Sequence, residues 1–439
     1  MKTKISFYTL GCRLNQSETA SIQNSFEASG YEVVDFENPS DIVVINTCTV
    51  TEGGDADTRR LVHKVNRLNP QARIALVGCQ AQVQKDKLAS MFNVRWIVGN
   101  SRKMDLVSVF QEYPDPATAA VIAPAIEREA FTQAIASIDR QHTRANIKIQ
   151  DGCDFFCSFC EIPYARGRAR SRVFDDILLE AQTLASAGHK EIILTGINIG
   201  TYANDGKSLV DVIARLETIE ELKRIRISSI EPTTIPLTLF DHMVVRQAHH
   251  AEQSRSSRGK LCRYLHIPLQ SGSDATLTEM KRKYTVDEFI SFIRQANQRI
   301  PQICLGTDII VGFPGETDQD FDLTMDLVRE EPIHYAHVFS YSPRHMAKSR
   351  LRGDTVASHT ISKRSQALRE LSVRKRRVFH ESLLGTTQTV LVEEAKENFW
   401  VGVTDNYVKI KIKAQGDLHN QILPVKLESI EGQYIMGEI

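Results

Sequence analysis

At 439 residues the chain is too long for one ordinary domain, and two or three are expected. Its charged fraction of 25% and hydrophobic fraction of 42% are those of a soluble globular protein. The 54 basic residues balance the 54 acidic ones, which argues against a generic polyanion binder but allows a local basic groove. No apolar run approaches the roughly 20 residues a membrane span needs. The start, MKTKISFYTLGC, lacks a long apolar core with a small-residue cleavage site, so neither a signal peptide nor a membrane partner is expected, and the location is read as cytoplasmic.

In chain order, ISFYTL, EVVDF, DIVVINT and ARIALVG read as strands, with a helix over NQSETASIQNSFEASG that ends at Gly30. Strands alternating with helices over residues 1–112 suggest a parallel α/β sheet. Residues 113–143, rich in Pro and Ala, read as a linker. The alternation resumes at Ile147, and six successive strands up to about Tyr341 suggest a partial (β/α)6 barrel, with its active site in the loops after the strands. Residues 242–260 are polar and without period and read as a surface insertion. Residues 356–382 read as one helix, whose Arg374, Lys375, Arg376 and Arg377 span more than half a turn and cannot all face one ligand. From about residue 381 five short β-rich runs predict a small antiparallel barrel or sandwich.

The eight cysteines do not suit structural disulfides in a cytoplasmic chain. Cys153, Cys157 and Cys160 form CxxxCxxC in the loop after the first barrel strand. A structural zinc site usually wants four ligands, and His142 precedes the strand, at its other end. Three cysteines on a [4Fe–4S] cluster leave one iron open to a small molecule. Cys12, Cys48 and Cys79 each end a predicted strand, in TLGC, INTC and LVGC, so a parallel sheet could gather them on one edge as a second site. The alternative is that each is a small buried residue, the reading kept for Cys262 and Cys304. Arg166, Arg168, Arg170 and Arg172 recur at every second position; if extended, they present guanidinium groups along one face, suited to phosphates and bases.

The cysteine motif, with Phe159 before its last member, resembles that of the radical S-adenosylmethionine superfamily over residues 144 to about 345. The resemblance implies that S-adenosylmethionine binds the open iron and yields a 5′-deoxyadenosyl radical on one-electron reduction. It also implies cofactor contacts at Thr195 and Gly196, at Ser229 and Glu231, and at Gly312 and Gly315.

TLGCRLNQSET, VINTCTVT and LVGCQAQ, followed by the radical motif and a terminal β-barrel, resemble the methylthiotransferase family over essentially the full length. That implies a second [4Fe–4S] cluster on Cys12, Cys48 and Cys79, and a TRAM-like RNA-binding barrel over residues 381–439 following a radical domain over 144–380. It further implies tRNA, gripped through the anticodon stem-loop by the arginine run and the barrel, and a low-potential electron donor such as a flavodoxin or ferredoxin. TLGCRLN and FCEIPYARGRARSR are most similar to the branch that places a methylthio group on C2 of threonylcarbamoyladenosine. Branches acting on isopentenyladenosine or on a ribosomal-protein aspartate are the alternatives, as is an RNA-binding iron–sulfur protein without turnover. The loop YSPRHMAKSR and the insertion depart from the family's pattern.

Overall fold

The computed structural model describes residues 2–133, 143–243 and 259–439. Its first unit is a six-stranded parallel sheet in the order Glu32–Val34, Lys4–Thr9, Ile42–Thr47, Arg73–Gly78, Val94–Val98, Ala120–Ile122. Its central strands are buried on both faces. Ile42 and Val44 join one apolar cluster with Phe26 and Trp96, while Val43 and Ile45 join another with Leu76 and Ile97. This is why they read as continuous apolar runs and not as alternating ones.

Two of these strands were not foreseen. Val94–Val98 lies in a short run with little local signal, and Ala120–Ile122 falls within the expected linker. The latter pairs with Trp96–Val98 as an edge strand, and further on Phe131 bridges to Arg172. The described part of that segment is therefore tied into the fold at both points.

The central unit holds the six expected strands in two parallel sheets. One contains Arg144–Lys148, Glu191–Thr195 and Arg224–Ile227, and the other Tyr264–His266, Cys304–Val311 and Tyr335–Ser340. Bridges Ile225–Leu261 and Ser229–His266 join them into one open barrel wall. Helices such as Val286–Arg299 and Asp318–Glu330, each opened by a capping box, close over the outside. The edges of the insertion meet at Glu217, which accepts from Lys260 N at 2.9 Å and bonds His242 Nδ1 at 2.9 Å. The rest of the insertion, and His142, lie outside the described residues.

The last helix, Ser358–Glu381, leads into a closed five-stranded barrel. This barrel packs on the N-terminal ends of the central strands. Arg224 donates to the Val403 and Thr389 carbonyls, Arg226 to those of Thr404 and Asp405, and Arg263 pairs with Asp405 at 2.8 Å. Among the described residues no helix is long and apolar enough to cross a membrane.

Candidate functional site

In the first sheet the strand order reverses direction between Lys4–Thr9 and Ile42–Thr47, and ligands of open parallel sheets bind beyond the strand ends at such a point. Cys12 and Cys48 stand just beyond these two ends. The register Thr47–Gly78 brings Cys79 abreast of Cys48. Gly11, at φ +92°, leaves room for Cys48: a Cβ there would sit 2.7 Å from the Cys48 sulfur. Burial pushes the Cys48 thiol up to about 12, with Cys79 and Cys12 adding to the rise. Such thiols act as ligands only when a cation displaces their protons.

The surroundings favour that exchange. Behind Cys79, Lys103, Lys148 and Arg166 are fully buried with Glu18 and Asp151. With Arg170, which also pairs with Asp151, four cations thus face two carboxylates, and the surplus positive charge lies beside the sulfur. The cations, Arg166 foremost, outweigh burial and hold Glu18 well below its usual range. The donor chemistry, the glycine clearance and the charge surplus all fit a thiolate-held, anionic cluster.

The second trio sits on the loop after Arg144–Lys148. Gly152, at φ +71°, turns the chain against Arg168, and Cys153 N donates to the Gly167 carbonyl at 3.1 Å. Burial raises all three thiols, Cys153 to about 11. Arg282 donates to the Cys157 sulfur at 3.2 Å and forms an ion pair with Glu231. Phe159 is partly buried on the same loop.

Two threads connect the cysteine loops. Thr49, after Cys48, donates to Glu161, after Cys160, at 2.7 Å. Arg344 then donates to Thr49 at 3.1 Å and to Asp55 at 2.7 Å, and lies 3.5 Å from Glu161. The loop that departs from the family pattern therefore clamps both sites.

The arginine run requires correction. Arg166 belongs to the helix Ile162–Arg166 and is 1% exposed among Glu18, Asp151 and Asn15. Arg172 is 0% exposed between Asp176 and Glu180, and Arg170 pairs with Asp151 at 2.9 Å. Arg168 alone of the four faces solvent, 4.4 Å from the Phe156 ring centroid. The helix and the long-range ion pairs remove the extended face that would have gripped RNA.

A cavity of about 840 Å³ lies among the three units. Cys12 and Cys48 line it from the first sheet, Thr195, Gly196 and Ser229 from the central strand ends, and Tyr407 from the terminal barrel. Beside these strand ends Ser228 Oγ and Asn198 Nδ2 are buried without protein partners, as suits contacts to a polar cofactor. Glu231 sits one step further along, on Arg282. Gly312 and Gly315 do not line the cavity. A Cβ at Gly312 would meet Ile361 at 2.3 Å, and one at Gly315 would meet Asp354 at 2.7 Å, so these glycines serve packing of the chain around the last helix.

The lumen wall holds a hydrogen-bonded chain. Tyr264 and Tyr335 hydroxyls are 2.6 Å apart, Tyr335 reaches His266 Nδ1 at 3.0 Å, and His266 Nε2 reaches Asp308 at 2.8 Å. Gly306 makes this possible, since a Cβ there would overlap Tyr335. Although burial opposes it, His266 and His337 hold Asp308 well below the usual carboxylate range.

Residues 147–328 match the Radical SAM superfamily, and residues 4–99 match a family described as Uncharacterized protein family UPF0004. The chain is 35% identical to the threonylcarbamoyladenosine tRNA methylthiotransferase MtaB of Bacillus subtilis, over 98% of this chain and 96% of that one. It is 36% identical to the MtaB of Aquifex aeolicus over 93% and 96%. The chain belongs to the radical S-adenosylmethionine methylthiotransferases, MtaB-type. It is also 32% identical, over 98% and 94%, to the tRNA-2-methylthio-N(6)-dimethylallyladenosine synthase of Lachnoclostridium phytofermentans. The fold is shared with the radical S-adenosylmethionine methyltransferase TsrM of Kitasatospora setae, at TM-score 0.55 and 14% identity over 78% and 77%.

As a radical methylthiotransferase the protein is an enzyme that uses an iron–sulfur cluster and S-adenosylmethionine. Several residues of this candidate site escape a reading of the sequence. Arg282, Glu18, Arg344 and His266 meet their partners across tens to hundreds of positions, and no local spacing marks them. His266 opens the run HIPLQSGSD, whose local sequence names none of its partners.

Proposed function

We propose that the protein inserts a methylthio group at C2 of N6-threonylcarbamoyladenosine, next to the anticodon of tRNA. The observation that carries this is the shared cavity: the cysteines at the switch point of the first sheet and the strand ends of the radical barrel open onto one space. In this reading Cys153, Cys157 and Cys160 hold the radical cluster, and Cys12, Cys48 and Cys79 hold a second, sulfur-supplying [4Fe–4S] cluster. When bound, the clusters and S-adenosylmethionine supply hydrogen abstraction, sulfur and methyl, which side-chain acid–base chemistry cannot offer at an aromatic C–H.

The chain's own residues position and shield. Thr195, Gly196, Ser229 and Glu231 frame the cofactor, with Asn198 and Ser228 offering unused polar atoms. Arg282 places a positive charge against Cys157 and keeps Glu231 paired. Arg344 and the Thr49–Glu161 bond fix the spacing of the two sulfur sites. The terminal barrel, on the cavity's edge, receives an RNA loop whose target base is splayed out of its stack. A cytoplasmic enzyme fed by a low-potential flavodoxin or ferredoxin completes the reading.

Mass spectrometry of tRNA nucleosides from cells with and without the gene tests it. Selective loss of 2-methylthio-threonylcarbamoyladenosine is expected, restored by the wild-type gene but not by Cys48→Ala or Cys157→Ala. In purified protein Cys48→Ala retains S-adenosylmethionine cleavage and Cys157→Ala does not. Loss of the isopentenyl nucleoside instead would move the substrate to that branch, and no change in either would sink the tRNA reading.

A further inference from the structure

The cavity carries a charge imbalance that chemistry at C2 does not require. Among the described residues lining it, Asp308 is the one carboxylate, and His266 and His337 already take it up. Three cations line the same space: Arg13 from the first unit, Arg376 from the last helix and Lys409 from the terminal barrel. None has a carboxylate partner among the described residues.

Arg13 and Arg376 are mounted on one aromatic platform. Arg13 donates to the Tyr407 hydroxyl and lies 5.5 Å from that ring's centroid. Arg376 lies 4.9 Å from the Tyr335 ring centroid. Tyr264 joins the two, with its ring 4.6 Å from Tyr407 and its hydroxyl 2.6 Å from that of Tyr335. Of the other cations of this stretch of helix, Arg374 faces a separate groove beside Ser340 and Arg369, and two are engaged elsewhere. Lys375 donates to the Arg329 and Glu331 carbonyls, and Arg377 pairs with Glu381 at 2.9 Å. Arg376 is the member of the basic cluster that the helix turns to the cavity.

We propose that Arg13 and Arg376, with Lys409 beside them, receive the carboxylate of the threonylcarbamoyl arm on N6 and thereby set which modified adenosine is accepted. This rests on the substrate reading above. The bonds at C2 and N6 leave the adenine ring in different directions, so a base presenting C2 to the cysteine-lined side can extend its N6 arm to the tyrosine platform. Arginine takes a carboxylate through parallel N–H donors. An apolar arm in the same place would leave these cations desolvated and unpaired, the arrangement by which a polar site rejects a substrate lacking the matching group.

The test uses the cluster-loaded enzyme and three anticodon stem-loop RNAs of one sequence. One carries threonylcarbamoyladenosine, one its neutral methyl ester, and one plain adenosine. Binding and KM are measured for the wild type and for Arg13→Gln, Arg376→Gln and Lys409→Gln. The wild type is expected to bind the acid roughly 10- to 100-fold more tightly than the ester, the span of a hydrogen bond to a charged group. Each arginine variant is expected to lose most of that preference, mainly through KM. The residues come from three separate units, so a folding defect in one variant, seen in melting or iron content, leaves the others informative. Retention of the full acid-over-ester preference in both arginine variants overturns the proposal. Equal weakening for all three RNAs also overturns it, and gives the cations to RNA phosphates. A fourth stem-loop carrying isopentenyladenosine keeps the two failures apart: a wild type that modifies it but not the acid RNA defeats the substrate reading itself, and the carboxylate site with it.

Discussion

The imidazole of His334 is held neutral by its surroundings. Leu305 N donates to its Nδ1 at 2.9 Å, which requires an unprotonated nitrogen, and its ring packs 4.3 Å from that of Phe379. Burial, with Lys375 adding to it, lowers its pKa to about 4. In the unfolded chain histidine titrates near 6.5. Below that pH the unfolded state binds more protons than the folded one, so the contribution of His334 is complete above about 6.5 and is lost as pH falls through about 4. His380, lowered to about 4 by burial and Arg376, acts with the same sign. Chemical unfolding between pH 7 and 4 is expected to show a shallower decline for His334→Gln than for the wild type. Equal slopes would remove His334 from the acid sensitivity.

At the scale of elements, the tight turn at Gly152 decides whether the cysteine loop forms. A methyl group there would lie 2.0 Å from the Arg168 carbonyl, and the backbone is at φ +71°. The left-handed conformation alone costs a residue with a side chain about 1–2 kcal/mol. Gly152→Ala is therefore expected to lower the melting temperature and, on the two-cluster reading proposed above, to halve the iron bound per chain. Full iron content, measured colorimetrically, would show that the turn adapts.

The same scale explains what the sequence could and could not tell. Cys12, Cys48 and Cys79 were legible as a group because each follows a strand whose apolar run is local. The six barrel strands were legible for the same reason. The arginine run was not. Its alternation is a local pattern, but the side chains answer to Glu18, Asp151 and Glu180, and Glu18 lies 148 positions from Arg166. Likewise Gly312 and Gly315 read as ligand-side turns, when the groups that need their space are Ile361 of the last helix and Asp354 of the segment leading into it.

Across the whole molecule, Arg344 is one of the buried charges that hold the units in register, beside the Glu18 pairs with Lys148 and Arg166. It is 3% exposed between Asp55, on the helix Glu52–Leu68 of the first unit, and Glu161 of the second cysteine loop. Removing one partner of a buried charge pair costs about 3–5 kcal/mol, because the other charge is left unpaired. Arg344→Ala is expected to lose stability on that order in urea unfolding. It should also lower methylthiolation more than S-adenosylmethionine cleavage, since the radical loop keeps Arg282 while the spacing between sites relaxes. A proportional loss of both activities would show that Arg344 supports folding alone.

The groups that close over the first three cysteines have a further consequence in time. Cys12, Cys48 and Cys79 lie in the first 79 residues, whereas Glu161, Arg166 and Arg344 are translated much later. At ribosomal speeds of about 5–20 residues per second, the wait from Cys79 to Arg344 is on the order of tens of seconds. A nascent chain therefore presents these thiols to the cell before its own cover exists, and any cluster proposed for them would have to be delivered in competition with oxidative damage during that interval.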